Sequence, residues 1–481
     1  MTTKDNLSAE DLCFTPAVAL RDMLRRKAVS PMELMQAFLE RIDRVNPIIN
    51  AYCTLVPDMA MEAARKAESA IMRSAEVGLL AGLPVSIKDV VPTAGIRTTY
   101  GSKLYENLVP SEDALIVARL KEAGGIVLGK TNTPEFAAGA STFNKVFGIT
   151  RNPWNADFTV GGSSGGAAAA VAAGIGPLAQ GSDLGGSLRL PGSFCGVVGF
   201  RPSPGRVPKF PNELNWDDLS VQGPIARTIP DTALFLDAMS GPDGRSPVSL
   251  PKEATSFLQA AQNPDARKLK IAWSDNLNLM PVDPVVLKEV RKAIDVFRGL
   301  GSEVIEDCPD FSEARETALT LRGVRFVALY GEQYRSDPEF RRWVNPLVTG
   351  NIEQGLKLTV EEIARAHRQR SEIWNRTKGF FDKYDLLLTP TAPIPPFPAE
   401  VKFPTEIAGK PMENYLDWVM LTYAITITGH SAVSVPCGWT EKGLPIGLQI
   451  VGRHHGEAAL LRAAAAFEQA APWADKRPPL G

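Results

Sequence analysis

The chain has 481 residues, which excludes a small stapled scaffold and, at roughly 150 residues per domain, leaves room for about three domains or one large one. Its 52 Lys and Arg balance 54 Asp and Glu, for a net charge of −2, and neither sign runs in long blocks, which excludes an electrostatic footprint for nucleic acid or an anionic membrane. Hydrophobic residues at 44% and charged residues at 22% are globular averages, so global disorder is excluded and a large core is expected.

In chain order, Ser30-Pro31-Met32-Glu33 reads as a capping box with Pro at the first helical position, and Leu34, Phe38, Leu39, Ile42 and Val45 continue at helical spacing. The spacing predicts a helix over 31–45 and a second, alanine-rich one over 58–72. Gly82-Leu83-Pro84 then introduces the buried strand Val85-Ser86-Ile87, with Lys88 at its C-terminal end. Residues 113–123 form a helix that is capped by Gly124-Gly125 and leads into the strand Ile126-Val127-Leu128. The same order recurs over 165–179 and over 283–305. Further short apolar strands fall at 270–272, 386–388, 432–435 and 446–451, and a packing helix closes the chain from Glu457 to Ala471. Residues 202–217 and 390–404, rich in Pro and Gly, read as loops. Helices alternating with short apolar strands predict an α/β fold, a sandwich around a mixed and largely buried sheet.

The five cysteines, Cys13, Cys53, Cys195, Cys308 and Cys437, are odd in number and form no C-x-x-C pair, as expected of reduced thiols in a cytosolic protein. MTTKDNLSAEDL lacks a basic stretch followed by an apolar one, and the most apolar run, Ala167 to Ala179, is interrupted by Gly174, Gly176 and Pro177. The expectation is a cytoplasmic protein with no membrane span.

One region carries chemistry: Gly161-Gly162-Ser163-Ser164-Gly165-Gly166, followed by Gly181-Ser182-Asp183-Leu184-Gly185-Gly186-Ser187-Leu188-Arg189. Dense glycines bring backbone N–H groups close to one point and leave serine hydroxyls accessible. A phosphate loop needs a Lys after its last glycine, where Ala167 stands, and no G-x-G-x-x-G is present. A plain glycine-rich connection would account for the first motif alone. The second adds consecutive donors, Leu184 to Ser187, directly at a hydroxyl, as needed to hold an oxyanion while a serine attacks a carbonyl. None of the four histidines, His367, His430, His454 and His455, sits in a recognisable Ser-His-Asp context. Lys88 is therefore the better base, against the plain alternative of a surface lysine ending a strand. It must be buried away from carboxylates to be neutral, and Asp89, its neighbour in an extended chain, is expected to point to the opposite face.

These motifs, in this order and spacing, together with the upstream Gly82-Leu83-Pro84-Val85-Ser86-Ile87-Lys88-Asp89, resemble the amidase signature family. The match is strong over about residues 80–235, including Gly223-Pro224-Ile225-Ala226-Arg227 and Asp231, and looser over the whole chain. The resemblance implies one amidase domain over 1–481, a single large α/β/α sandwich whose central mixed sheet is surrounded by helices. It implies Ser187 as nucleophile, Ser163 as bridging serine after a cis Gly162–Ser163 peptide, and Lys88 as base. Ser164, Asp183 and Arg189 match supporting positions, and the backbone N–H groups of Leu184, Gly185, Gly186 and Ser187 match the oxyanion donors.

The family includes stand-alone amide and carbamate hydrolases and the glutamine-hydrolysing subunit of tRNA-dependent amidotransferases. That subunit carries an acidic residue where Val419 stands here, before Gly429-His430-Ser431-Ala432-Val433-Ser434-Val435-Pro436, and Asp417 is two places away. An apolar side chain there leaves the ammonium of glutamine unpaired. The reading is therefore a stand-alone hydrolase of an uncharged, partly apolar amide, an aryl amide or a carbamate for example, the alternatives being a non-catalytic binding protein or the amidotransferase subunit. A small-molecule amide is the expected partner, with no cofactor, metal, nucleic acid or membrane, and with a homodimer left open. His454-His455, Cys195 and Cys437 read as structural, the alternative being metal ligands. Trp418, Val419 and Tyr423 read equally as pocket lining or core.

Overall fold

A computed structural model of the chain describes residues 7–73 and 77–480. Eleven strands build one sheet: β1 (Tyr52–Leu55), β2 (Pro84–Lys88), β3 (Ile126–Thr131), β4 (Leu178–Asp183), β5 (Val198–Arg201), β6 (Val221–Ala226), β7 (Lys270–Trp273), β8 (Glu303–Glu306), β9 (Leu386–Pro390), β10 (Ala432–Trp439) and β11 (Pro445–Gly452). They lie in the order β1-β3-β2-β4-β6-β5-β10-β11-β9-β7-β8. β2 runs parallel to β3 and β4, β7 runs parallel to β8 and β9, and the strands between are antiparallel. This is the expected mixed α/β sandwich.

Alternation along the strands sorts side chains onto two faces. Val85, Ile87, Val127 and Leu178 join one apolar cluster, while Ile126, Leu128 and Ala179 join the other. The helix Gly165–Ala172 lies wholly buried on the second face. Only small residues fit there, since a Cβ on Gly166 would lie 2.4 Å from the Asn132 nitrogen. Alanines supply helix propensity without bulk.

The capping box at Ser30 and Glu33 forms as read, and its helix, Pro31–Ile49, runs one turn beyond the expected end before Asn50 closes it in the left-handed region. Two long helices were not predicted, Ala314–Ser336 and Val360–Phe381. The first carries Arg322 and Gly323 on buried positions, which blurs its apolar stripe. Gly323 is there for close approach: its Cβ would lie 3.0 Å from the Cα of Gly355 on the helix Pro346–Leu356. No helix among the described residues is long and apolar enough to cross a membrane.

Because β2 and β4 are parallel and aligned at Ser86 and Ala179, their C-terminal ends deliver Lys88 and Asp183 to the same edge of the sheet. The site is built there.

Candidate active site

Every residue of β2 is buried, and its last side chain, Lys88, is wholly enclosed. Lys88 Nζ donates to three hydroxyls: Ser163 Oγ at 2.7 Å, Ser164 Oγ at 2.9 Å and Ser182 Oγ at 3.0 Å. Its backbone N–H is held by Gln180 Oε1 at 3.2 Å. No carboxylate among the described residues reaches it at ion-pair distance. Burial lowers its pKa to about 7, opposed only by the more remote negative charge of Asp183. Asp89 does face away. Its carboxylate accepts from the Thr99 hydroxyl at 2.5 Å and the Thr99 N–H at 3.2 Å, and the positive charge of Lys130 acts on it.

Ser163 and Ser164 sit at the entry of the buried alanine helix, and the Gly162–Ser163 peptide is cis, as the resemblance implied. The two serine loops are tied together where Ser164 N–H donates to the Ser187 carbonyl at 3.2 Å. Ser164 Oγ also accepts from Ser182 N–H at 3.2 Å.

Asp183 organises the second loop. Its Oδ1 accepts from Gly186 N–H at 2.9 Å and Arg189 Nη2 at 2.8 Å, and its Oδ2 from Leu188 N–H at 3.1 Å and Arg189 Nε at 3.0 Å. Arg201 adds a contact at 3.2 Å. Burial alone would raise the pKa of this carboxyl, but Arg189 and Arg201 hold it well below the usual carboxylate range. Arg189 in turn reaches the Thr422 carbonyl at 2.8 Å, Gln449 Oε1 at 2.6 Å and Thr426 Oγ1 at 2.9 Å. Gly186 has φ +122°, and a Cβ there would lie 2.3 Å from Thr422 Oγ1, so this position requires glycine.

One expectation is corrected by this turn. The Gly186 N–H is spent on Asp183 and is unavailable to an oxyanion, because the carboxylate sits inside the turn it caps. The N–H groups of Leu184, Gly185 and Ser187 have no acceptor among the described residues. Ser187 itself is half-buried, and its hydroxyl makes no hydrogen bond to Ser163.

The family model described as Amidase matches residues 33–461. The chain belongs to the amidase signature family. It is a hydrolase of amide carbon–nitrogen bonds. Among its relatives, an acylamidase of Rhodococcus erythropolis is 37% identical over 98% of both chains. A glutamyl-tRNA(Gln) amidotransferase subunit of Geobacter metallireducens is 36% identical over 94% of this chain and 96% of the other. The solved structure of a bacterial aryl acylamidase superposes with a TM-score of 0.89 at 32% identity, covering 96% of this chain and 97% of the other.

A cavity of about 430 Å³ is lined by Tyr100, Tyr105, Leu108, Phe136 and Tyr330, with Glu213 at its wall. The Phe136 and Tyr330 rings are 4.9 Å apart, and those of Tyr100 and Tyr105 are 5.5 Å apart. Tyr100 N–H donates to the Asp89 carbonyl at 2.9 Å, so the loop carrying Tyr100 is anchored directly after Lys88. On the other side, a Cβ on Gly162 would lie 2.9 Å from Ala140 and Ser141 backbone atoms, so the segment after Phe136 packs on the Gly162–Ser163 peptide. Asp417 is fully engaged, by Arg315 Nε at 2.8 Å and by the N–H groups of Glu413 and Asn414 at 2.8 and 3.0 Å. Trp418, Val419 and Tyr423 are buried in the core, with Trp418 stacked on Phe194.

Sequence reasoning missed Ser182 and Gln180, which reach Lys88 from β4; both stood inside or beside the quoted motif, two residues apart as same-face strand positions are. It also missed Thr422, whose hydroxyl donates to the Gly185 carbonyl at 2.7 Å and which lies far off in sequence. His430, His454 and Trp374 cluster with ring centroids 4.8 to 5.9 Å apart, and His454 and His455 rings lie 3.7 Å apart. His367, His454 and His455 line one cavity of about 490 Å³ away from the serines.

Proposed function

We propose that the chain is a stand-alone amidase that hydrolyses an uncharged, partly apolar amide to a carboxylate and ammonia or an amine. The observation that carries this is Lys88: a wholly buried lysine with a pKa near 7 and three serine hydroxyls around it is a base rather than a counter-ion. Neutral Lys88 accepts the Ser163 proton across the 2.7 Å contact as Ser163 takes the proton of Ser187. Ser187 Oγ bonds to the carbonyl carbon, and the N–H groups of Leu184, Gly185 and Ser187 stabilise the oxyanion. The carbon–nitrogen bond then breaks, the proton returns through Ser163 to the leaving nitrogen, and water cleaves the acyl-enzyme by the same relay.

The similarity to the acylamidase and the aryl acylamidase supports an aryl or otherwise apolar substituent, and the aromatic cavity, whose Tyr100 loop is tied to the Asp89 carbonyl next to Lys88, is the space we assign to it. The 36% identity to an amidotransferase subunit favours a second reading, glutamine hydrolysis. Against it stand the apolar Val419 and Asp417, whose carboxylate is already engaged by Arg315 and two backbone N–H groups, so neither offers a free carboxylate to an ammonium group. The test is a panel of acetanilide, aryl carbamate and glutamine with the purified chain alone. Aniline release supports the proposal, and turnover of glutamine alone replaces it with the second reading.

A further inference from the structure

The aromatic cavity carries a charge that an apolar substituent does not explain. Four rings line it, Tyr100, Tyr105, Phe136 and Tyr330; successive centroids lie 5.5, 6.0 and 4.9 Å apart, with planes inclined at 63°, 79° and 34°. They form a curved wall of faces and edges, not a flat stack. The charged lining is of one sign: among the described residues Glu213 and Glu332 are present, and no Arg, Lys or His. Both glutamates are exposed, and neither carboxylate has a hydrogen bond or an ion pair among the described residues. Arg325, a cation whose charge reaches Tyr330, is turned onto Asp217 at 2.6 Å.

The rings and their backbone agree with this. Burial first, then Tyr105, Asp89 and Glu213, push the Tyr100 hydroxyl up from its ordinary pKa with no cation opposing, so the field over the wall is negative. Tyr100 and Phe136 stand in the left-handed region, at φ +56° and +51°, which bulky residues rarely adopt. Phe136 N–H donates to the Tyr100 carbonyl at 2.8 Å, which locks the two together. Strain of this kind gathers where a ligand is held.

What such a wall recognises follows from ring electrostatics. An aromatic face attracts a cation placed within about 6 Å of its centroid, and unpaired carboxylates of one sign concentrate cations near it. A small inorganic cation keeps its water and gains little from the rings, whereas an alkylated nitrogen presents an apolar shell that packs on them. We infer that this cavity is a binding site for an alkylated ammonium ion, with the rings of Tyr100, Tyr105, Phe136 and Tyr330 as its cage and Glu213 and Glu332 as its anionic rim. The inference goes beyond the amidase reading and does not rest on it: a neutral aryl substituent uses the same faces but has no need of the rim.

The test compares choline with 3,3-dimethylbutan-1-ol, which has the same shape and lacks the charge. Calorimetric titration of the purified chain at fixed ionic strength should give choline an affinity at least about 10-fold above that of the alcohol. Tyr330→Leu removes a face and keeps an apolar contact; Glu213→Gln with Glu332→Gln removes the charges. Each change should weaken choline about 3- to 10-fold and leave the alcohol within about twofold. Added NaCl should weaken choline in the parent and not in the glutamine double variant, since exposed carboxylates are screened. Thermal melts accompany the titrations, and the two exposed glutamates decide the matter if Tyr330→Leu does not fold. Equal affinity for the two ligands, choline binding that none of the substitutions alters, or no choline binding overturns the inference. Where an anilide is turned over, choline should raise its KM and leave kcat unchanged. Binding without competition keeps the cation site and takes the aryl substituent to another pocket, while absence of any turnover defeats the amidase reading alone.

Discussion

Ser187 is half-buried on a loop anchored by its neighbours, so its hydroxyl does little for the core. Ser187→Ala should therefore keep the melting temperature and lose more than a thousandfold in rate, given losses of about 10⁶ when a serine nucleophile is removed elsewhere; a fluorophosphonate label should attach to Ser187 in the parent and not in the variant. Lys88 behaves in the opposite way. Its pKa, brought down to about 7 by burial, makes the rate rise with pH through about 7 and stay high above it. Folding releases its proton below the unfolded value, so the lysine costs stability from about pH 10 downward, and the cost grows until pH 7 and is constant below. Lys88→Met removes that cost while filling the same space, and should abolish turnover yet melt at or above the parent temperature at neutral pH. A paired series of rates and melts checks both, and a rate that rises toward acid pH would exclude Lys88 as base. These two residues were legible because glycine-dense motifs and an apolar strand mark them locally. Ser182 and Thr422 were not, since their roles come from cross-strand register and from a helix more than 200 residues away.

At the scale of elements, the turn from Asp183 to Arg189 holds its shape through a buried ion pair, not through loop propensity. Asp183→Asn leaves Arg189 and Arg201 buried without an anion, and should cost about 3–5 kcal/mol and displace the Leu184, Gly185 and Ser187 donors, lowering activity even where the protein remains folded. Comparing urea midpoints with kcat for this variant measures both. The direction of the Gly186 N–H could not be read from sequence for the same reason: the glycines announce a turn, but which amide faces inward depends on where the carboxylate sits. The helix Ala314–Ser336 escaped because its buried face carries arginine and glycine rather than an apolar stripe. The histidine cluster behind the sheet edge is a second element with a measurable signature. Burial, with mutual repulsion, lowers His430 to about 3 and His454 to about 4, Glu457 and Asp218 opposing at His454. Both stay neutral when folded, so stability should fall as pH drops from about 6.5 toward 4, where the unfolded chain takes up protons first. His430→Phe should flatten that decline in melts between pH 7.5 and 5, and an unchanged slope would show that other groups cause it.

For the whole molecule, the alternation of helix and strand in the sequence was enough to give a mixed sandwich, whereas the strand order was not, because it depends on pairings such as β5 with β10 that join distant segments. That pairing has a consequence for synthesis. Lys88, Ser163 and Ser187 all leave the ribosome in the first half of the chain, yet the loop bearing Ser187 is braced by Thr422 and Gln449, and β5, paired early with β6, meets its second neighbour only when Ala432 to Trp439 has emerged. On the proposed mechanism a nascent chain thus holds Lys88, Ser163 and Ser187 without the frame that aligns them, and catalytic competence is expected only with the final stretch of translation. Fragment 1–400 should take up no fluorophosphonate, while co-expression with 401–481 should restore labelling; equal labelling of the fragment alone would show that the early half arms itself. Hydrolysis is in this sense timed by the order in which the polypeptide is made.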